Sequence, residues 1–165
     1  MRNRILDSIE LDQWDYLLWI DADIIEYLPN LPTRLVEANR DGMTAPLVLI
    51  EGSERFYDLA AFIVKGQGTH RPSDPSRIAG RNLQPNPPYW PQHPQTELVE
   101  MDCVGAVTCV PTWVYRDGTR YEDHPAFTDH WPIAEAVRKS GKRIICHRGI
   151  RVFHAELPKY GEAWH

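Results

Sequence analysis

The chain has 165 residues and a formal net charge of -5, with 42% hydrophobic and 25% charged residues. That length suits a single domain with its own core, and the composition is ordinary for a soluble globular protein. The negative charge and the lack of a long basic run argue against nucleic acid as a partner. No apolar stretch approaches the roughly 18 residues of a membrane-spanning helix, so we predict no membrane segment in this chain.

The first fifty residues predict four elements in the order helix, strand, helix, strand. Residues 2–11 form an amphipathic helix, and the apolar run Tyr16–Ile20 suits a strand that is buried on both faces. Pro32 begins a second helix, and Met43–Ile50 forms a second strand. This alternation favours an α/β fold with a mixed, mostly parallel sheet flanked by helices, as in a partial Rossmann-like domain.

The rest of the chain begins with a proline-rich stretch. Residues 66–96 hold seven of the fourteen prolines, which predicts a long irregular loop or an insertion within a single domain over 1–165. Beyond it we predict strands over 97–101, 106–110, 143–146 and 151–153, a helix over 129–140, and a loop-like tail from Ala155. The three cysteines lack zinc-type spacing, so we expect buried thiols in a reducing compartment, with one disulfide as the alternative.

Asp21 and Asp23 directly follow the first predicted strand and are separated by one residue. Residues two apart point to the same face of a strand, so both carboxylates can reach one site. Two close carboxylates repel each other unless a cation or a proton lies between them. Oxygen ligands at an open site suit Mg²⁺ or Mn²⁺, and α/β sheets bind ligands beyond the carboxyl ends of their strands. We therefore predict a divalent-cation site that carries a diphosphate.

Asp21 and Asp23, and two later residues that could belong to the same site, Asp129 and His154, each have a purely structural alternative. Asp23 would cap a following helix while Asp21 forms a turn, and Asp129 suits the N-terminus of a helix. A lone histidine such as His154 is more often a structural hydrogen-bonding residue than a metal ligand. A phosphohydrolase of the haloacid dehalogenase type also begins with a strand and Asp-X-Asp, although Ile25 stands where that pattern has Thr or Val.

Four sequence blocks, in order, resemble glycosyltransferase family 62, the fungal mannan-polymerase mannosyltransferases with the GT-A fold. The blocks are residues 2–6 with 16–24, residues 100–106, residues 116–118, and residues 128–130 with 152–154. They span most of the chain outside the proline-rich stretch. The resemblance implies a GT-A-like domain whose N-terminal nucleotide-binding half would precede Arg2.

The resemblance implies roles for the matched residues on the metal side of a site. Asp21 and Asp23 would bind the metal and diphosphate, and His154 would complete the metal site. As a ligand, the histidine would be a neutral imidazole that a hydrogen bond at its other nitrogen holds in place. The cation implied is Mn²⁺ or Mg²⁺.

The resemblance also implies a donor side and an acceptor side. Arg2 and Asn3 would lie close to the nucleotide, and Gly105 would let the backbone approach the bound sugar. Asp129, where family members usually carry Glu, would be the catalytic carboxylate near the acceptor hydroxyl. The implied reaction is transfer of mannose from GDP-mannose to a glycan-type acceptor with retention of configuration.

Three further expectations concern the chain as a whole. If donor binding has been lost with the N-terminal half, the chain would be a non-catalytic remnant that only binds, which we keep as an alternative. A truncated sheet would expose an edge and favour a homo-oligomer, although the sequence leaves the oligomeric state open. Cytoplasmic location is the default from the sequence, and the Golgi lumen is implied if the family resemblance holds with an anchor outside this chain.

Overall fold

The computed structural model describes residues 1–52, 57, 61–66, 97–123 and 128–155. The predicted loop over 66–96, from residue 67 onward, and the predicted tail after Ala155 lie outside these residues. The described α-helices are α1 (Arg2–Leu6), α2 (Leu31–Ala38), α3 (Trp113–Arg116) and α4 (Trp131–Lys139), and a 3₁₀ turn covers Leu11–Gln13. The described strands are β1 (Tyr16–Ile20), β2 (Ile24–Glu26), β3 (Met43–Ile50), β4 (Ile63–Val64), β5 (Leu98–Cys103), β6 (Val107–Pro111) and β7 (Ile144–His154).

These strands form one seven-stranded sheet in the order β1-β6-β3-β7-β5-β4, with β2 also paired to β7. Among the described strands, β3 and β7 are the one parallel pair, and all other pairs are antiparallel. The α/β class with a mixed sheet is confirmed, but the prediction of a mostly parallel, Rossmann-like sheet is wrong. β1 and β3 do run in the same direction, as a strand–helix–strand unit requires, but β6 lies between them and is antiparallel to both.

Three local predictions need correction. The first helix ends at Leu6 rather than near residue 11, because the Ser8 hydroxyl bonds the Ile5 carbonyl at 2.8 Å and so competes with the helix. β1 is partly buried along its whole length instead of fully enclosed, because it lies at one end of the sheet. The two short C-terminal strands are one continuous strand, β7, whose pairing with β3 shifts between Pro46 and Leu47.

The core lies between the sheet and the helices packed on it. β3 is central and almost completely buried. Leu31 and Leu35 of α2, one helical turn apart, pack into the same core, and neither side chain is exposed to solvent. Burial of each such side chain contributes about 1.5–3 kcal/mol. Cys103, Cys109 and Cys146 are buried free thiols, as predicted. None of the described helices has both the length and the apolar character needed to cross a bilayer.

The strand directions explain where polar side chains gather. β1 and β3 are both antiparallel to β6, and β3 is parallel to β7, so β1, β3 and β7 all run in the same direction. Their carboxyl ends therefore lie at a common edge of the sheet. Asp21 follows β1 at this edge and His154 is the last residue of β7.

Candidate functional site

The Asp21–Asp23 segment is a tight turn between β1 and β2. The Asp21 amide donates to the Ala106 carbonyl at 3.1 Å, and the Asp21 carbonyl accepts from the Ile24 amide at 3.0 Å. The Asp23 carbonyl accepts from the Ala155 amide at 2.9 Å. The alternative in which Asp23 caps a following helix is wrong, since the strand β2 comes next. The predicted turn at Asp21 is confirmed, so the backbone beneath both carboxylates is tied to two other segments.

Arg2 connects two acidic residues that are more than a hundred positions apart. One guanidinium nitrogen lies 2.5 Å from Oδ1 of Asp21, and the other lies 3.1 Å from Oδ2 of Asp129. The three side chains keep between 23% and 38% of their surface exposed, so they form a partly buried triad open to solvent. The family resemblance implies that Arg2 is near the nucleotide and that Asp129 is near the acceptor, and the structure brings both of them to Asp21.

The electrostatic state of Asp21 reflects opposing effects. Partial burial raises the pKa of its carboxyl group, and the neighbouring charges of Asp23 and Asp129 add to that effect. The Arg2 guanidinium acts in the opposite direction, through its charge and its hydrogen bond, but the net shift is upward. Asp21 is therefore a carboxylate that further positive charge would stabilise.

His154 lies behind the turn with 1% of its side chain exposed. Its Nδ1 is 2.7 Å from the Ala155 carbonyl, and because a carbonyl can only accept, Nδ1 carries the hydrogen. In the neutral ring, Nε2 then has a free lone pair, and it lies 2.8 Å from Oδ2 of Asp23. Nε2 makes no hydrogen bond of normal geometry to any described residue. The Tyr57 ring stacks on the imidazole, with centroids 3.5 Å apart, and fixes its plane.

These donor atoms fit a divalent cation. A lone pair on a buried ring nitrogen and a carboxylate oxygen 2.8 Å away repel each other unless a proton or a cation lies between them. Imidazole nitrogen and carboxylate oxygen are both ligands that Mn²⁺ accepts. Among the described residues, no group of three or more His, Cys, Asp or Glu side chains is already arranged around one point. Asp21 is engaged by Arg2 through Oδ1, so a cation bound with Asp23 and His154 would compete with the guanidinium for this carboxylate.

Asn3 holds helix α1, and with it Arg2, against the segment after α3. Its side-chain amide donates to the Tyr121 carbonyl at 2.7 Å and accepts from the Tyr121 amide at 2.9 Å. Both polar atoms of Asn3 are thus used in positioning. The Arg2 guanidinium lies over the Tyr121 ring, 5.1 Å from its centroid, a distance at which cation–π attraction operates.

Sequence reasoning missed Tyr121 and Tyr57, which lie against Arg2 and His154. Tyr121 is 7% exposed, and its hydroxyl is 2.9 Å from that of Tyr115, which accepts a hydrogen bond from the Trp19 indole at 2.9 Å. No sequence pattern marks either tyrosine, because each acts through a partner that is remote along the chain.

Gly105 precedes β6 at the same edge of the sheet and is buried. Its carbonyl accepts from the Val107 amide at 2.7 Å, and the next residue, Ala106, accepts from Asp21. The left-handed backbone conformation in this turn belongs to Ala106, with φ of 56°, which is uncommon for a residue with a side chain. Gly105 thus lies one residue from the backbone contact that fixes Asp21.

A cleft of about 490 Å³ opens beside this triad. We call it the carboxylate cleft and define it by Arg2, Asp21, Tyr121, Asp123 and Asp129, which all line it. Three of these five side chains are acidic and one is a cation. The cleft is therefore electronegative, which favours a cation or a cation-bearing ligand.

Asp129 stands just before α4, two residues ahead of its first residue, Trp131. This place agrees with the structural alternative of a residue at a helix N-terminus that the dipole favours, although no side-chain cap bond forms at this helix. The next residue, His130, is 5% exposed; burial lowers its pKa to about 4, and the Arg2 charge adds to that effect, while Asp129 opposes it. The carboxylate of Asp129 is thus turned to the cleft while its neighbour is a neutral core residue.

Comparison with known proteins adds nothing to this geometry. Neither a scan against known protein families nor a search of curated proteins finds a match to this chain.

Proposed function

We propose that the chain is the metal-binding and acceptor-binding part of a glycosyltransferase that uses a nucleotide-sugar donor. Mn²⁺ or Mg²⁺ would be held by Asp21, Asp23 and His154. The transferred group would be a hexose, with mannose from GDP-mannose as the best candidate, and the acceptor a glycan-type hydroxyl. The main support is the convergence of Arg2, the Asp-Ala-Asp turn, Asp129 and His154, which come from three remote parts of the chain.

The residues of the proposed metal site have complementary tasks. Asp23 and His154 already face each other at 2.8 Å, and Asp21 lies two residues before Asp23, directly after β1. When bound, the divalent cation would neutralise the charge that develops on the diphosphate leaving group. The Ala155 carbonyl at Nδ1 and the Tyr57 ring fix the imidazole so that its free nitrogen keeps one direction.

On the acceptor side, Asp129 accepts a hydrogen bond from the attacking hydroxyl and orients it. Its side chain is 38% exposed at the cleft, so an acceptor can reach it. A positioned carboxylate of this kind contributes about 100-fold or more to such reactions. Asn3 supports this arrangement through its paired bonds to Tyr121, because those bonds set the position of α1 and Arg2.

Two other functions make different predictions. A metal-dependent phosphohydrolase would release phosphate from simple esters without an acceptor. A non-catalytic remnant would keep the fold and bind no nucleotide.

Calorimetric titration separates the three functions. GDP, UDP and GDP-mannose are titrated into the protein with and without Mn²⁺, and phosphate release from p-nitrophenyl phosphate is measured in parallel. The proposal expects nucleotide binding that requires Mn²⁺ and no release of phosphate. Phosphate release without nucleotide binding would support the hydrolase, and the absence of both would support the remnant.

A further inference from the structure

Arg2 binds Asp21, a carboxylate that the proposed metal site would use. Its guanidinium donates to Oδ1 of Asp21 at 2.5 Å and to Oδ2 of Asp129 at 3.1 Å. Among the described residues that line the carboxylate cleft, it is the one cationic side chain, whereas three acidic side chains line the same cleft. The guanidinium therefore neutralises the site in the way a bound cation would.

The same guanidinium has chemistry suited to a second partner. Its planar pair of donors matches a carboxylate and a phosphate equally well, so it can change from one to the other without losing hydrogen bonds. A dication at Asp21 would repel the guanidinium, and an arriving diphosphate would attract it. Arg2 retains 23% side-chain exposure at the cleft, so the diphosphate can reach it.

We propose that Arg2 is an exchangeable counter-ion of this site. In the absence of a divalent cation its guanidinium bridges Asp21 and Asp129, and it transfers to the diphosphate when a cation and a nucleotide bind together. This inference rests on the proposed function. The exchange makes binding of the cation and binding of the nucleotide cooperative. The cation displaces Arg2 from Asp21, and the diphosphate of the nucleotide binds the displaced guanidinium.

The surroundings of Arg2 allow such a transfer without unfolding. Helix α1 is anchored by the two hydrogen bonds of Asn3 to Tyr121, so the helix stays in place while the long Arg2 side chain moves. The Tyr121 ring, 5.1 Å from the guanidinium carbon, offers a surface along which the cation stays stabilised. Departure of Arg2 also releases Asp129, which then becomes free to meet the acceptor hydroxyl. Donor binding would thus precede acceptor binding.

Electron paramagnetic resonance of free Mn²⁺ tests the exchange directly. Mn²⁺ is titrated into the wild type, Arg2→Gln and Arg4→Gln, each with and without GDP. Arg4 is the matched control, because it lies on the same helix but is exposed to solvent. Arg2→Gln is expected to bind Mn²⁺ alone roughly fivefold or more tightly than the wild type, which is the lower end of typical coupling between sites. It should also lose most of the increase in affinity that GDP causes.

The outcomes separate this inference from the function on which it rests. If the wild type binds Mn²⁺ with GDP but Arg2→Gln has wild-type affinity for Mn²⁺ alone, the exchange is overturned and the proposed function stands. If the wild type binds no Mn²⁺ even with GDP, both are overturned. Arg4→Gln should match the wild type, and a change as large as that of Arg2→Gln would show a general charge effect and overturn the exchange.

A second measurement covers the case in which Arg2→Gln does not fold. In the ¹H–¹⁵N spectrum of the wild type, the Nε–H resonance of Arg2 is assigned by its absence from the Arg2→Lys variant. The resonance is expected to shift when Mg²⁺ and GDP are added together. A resonance that does not move under saturating Mg²⁺ and GDP would overturn the exchange.

Discussion

Two clefts of similar volume lie at opposite ends of strands β1 and β6, and they differ in how their charges are arranged. The carboxylate cleft, about 490 Å³, lies where β1 ends. The opposite cleft, about 550 Å³, lies where β1 begins and is lined by Tyr16, Asp41, Thr112, Arg116 and Lys142, among others. Volume therefore does not separate a candidate site from an ordinary surface depression in this molecule.

In the opposite cleft, two of the cationic side chains each have a carboxylate partner of their own. Lys142 lies 3.6 Å from Asp41, and Arg116 lies 2.9 Å from Asp12 and also bonds two backbone carbonyls. Exposed pairs of this kind contribute at most about 1 kcal/mol each. In the carboxylate cleft, by contrast, one guanidinium is shared by two carboxylates that come from remote segments. Such incomplete compensation is what a site for a charged ligand requires.

The largest expected effect comes from the Asp-Ala-Asp turn. Asp23→Ala should reduce Mn²⁺-dependent binding of GDP below detection, because it removes a proposed ligand of the cation and leaves the buried His154 nitrogen as one of the two remaining ligands. Calorimetry measures the binding, and thermal melting checks that the fold is intact. Asp41→Ala in the opposite cleft is the control and should bind like the wild type. Unchanged binding by Asp23→Ala would exclude its role as a metal ligand.

The next effect separates the two sides of the carboxylate cleft. Asp129→Asn should spare Mn²⁺-dependent binding of GDP-mannose and lower the rate of transfer by about 100-fold or more, because the amide is a poor acceptor for the hydroxyl proton. Transfer to a trial acceptor such as mannobiose is followed by product formation. If donor binding is lost as well, Asp129 does not belong on the acceptor side.

A smaller effect is a loss of stability at acid pH, which we expect to come from His130, the residue after Asp129 of the carboxylate cleft. Burial lowers the pKa of His130 to about 4 from its usual 6.5. Between about pH 4 and pH 6.5, therefore, this histidine is mostly protonated in the unfolded chain and mostly neutral in the folded chain. The stabilising contribution is therefore present above about pH 6.5 and is lost as the pH falls towards 4. At the opposite cleft, burial raises the pKa of Tyr16, which does not titrate in this range.

Urea unfolding measures this difference. Between about pH 7 and about pH 5, His130 should account for a loss of roughly 2 kcal/mol in the free energy of unfolding. His130→Gln should show a correspondingly smaller loss over the same interval, whatever its absolute stability. An equal loss in the variant and in the wild type would show that His130 is not responsible.

The smallest effect is expected in the opposite cleft. Lys142→Ala removes a partly exposed ion pair and should change the free energy of unfolding by no more than about 0.5 kcal/mol. Urea unfolding at neutral pH measures it, and Mn²⁺-dependent nucleotide binding should stay at the wild-type level. A marked loss of nucleotide binding would mean that the two clefts are not functionally distinct.

The sequence predicts local elements of the fold better than their arrangement. Tyr16–Ile20 and Met43–Ile50 form strands as predicted, because each is an apolar run with clear boundaries. The insertion of β6 between them was not predictable, because no local pattern specifies which strand fills the gap between two strands joined by a helix. This insertion adds two antiparallel pairs to the sheet, although β1 and β3 share one direction.

In the candidate site, too, the residues themselves could be predicted better than their arrangement. Asp21 and Asp23 are conspicuous in the sequence because they follow a strand, and the structure places His154 next to Asp23. The contact of Arg2 with Asp129 and the stacking of Tyr57 on His154 depend on tertiary packing, so no local pattern indicates either of them. Candidate ligand residues are thus visible in the sequence, whereas the contacts of each of them are visible only in the structure.

The central claim is that the Asp-Ala-Asp turn and His154 hold a cation that carries a diphosphate. Anomalous diffraction from crystals grown with Mn²⁺ and GDP tests it most directly. We expect one anomalous peak in contact with Asp21, Asp23 and Nε2 of His154, with Arg2 turned to the diphosphate. A map with no peak there, in which Arg2 still bridges Asp21 and Asp129, would contradict the claim.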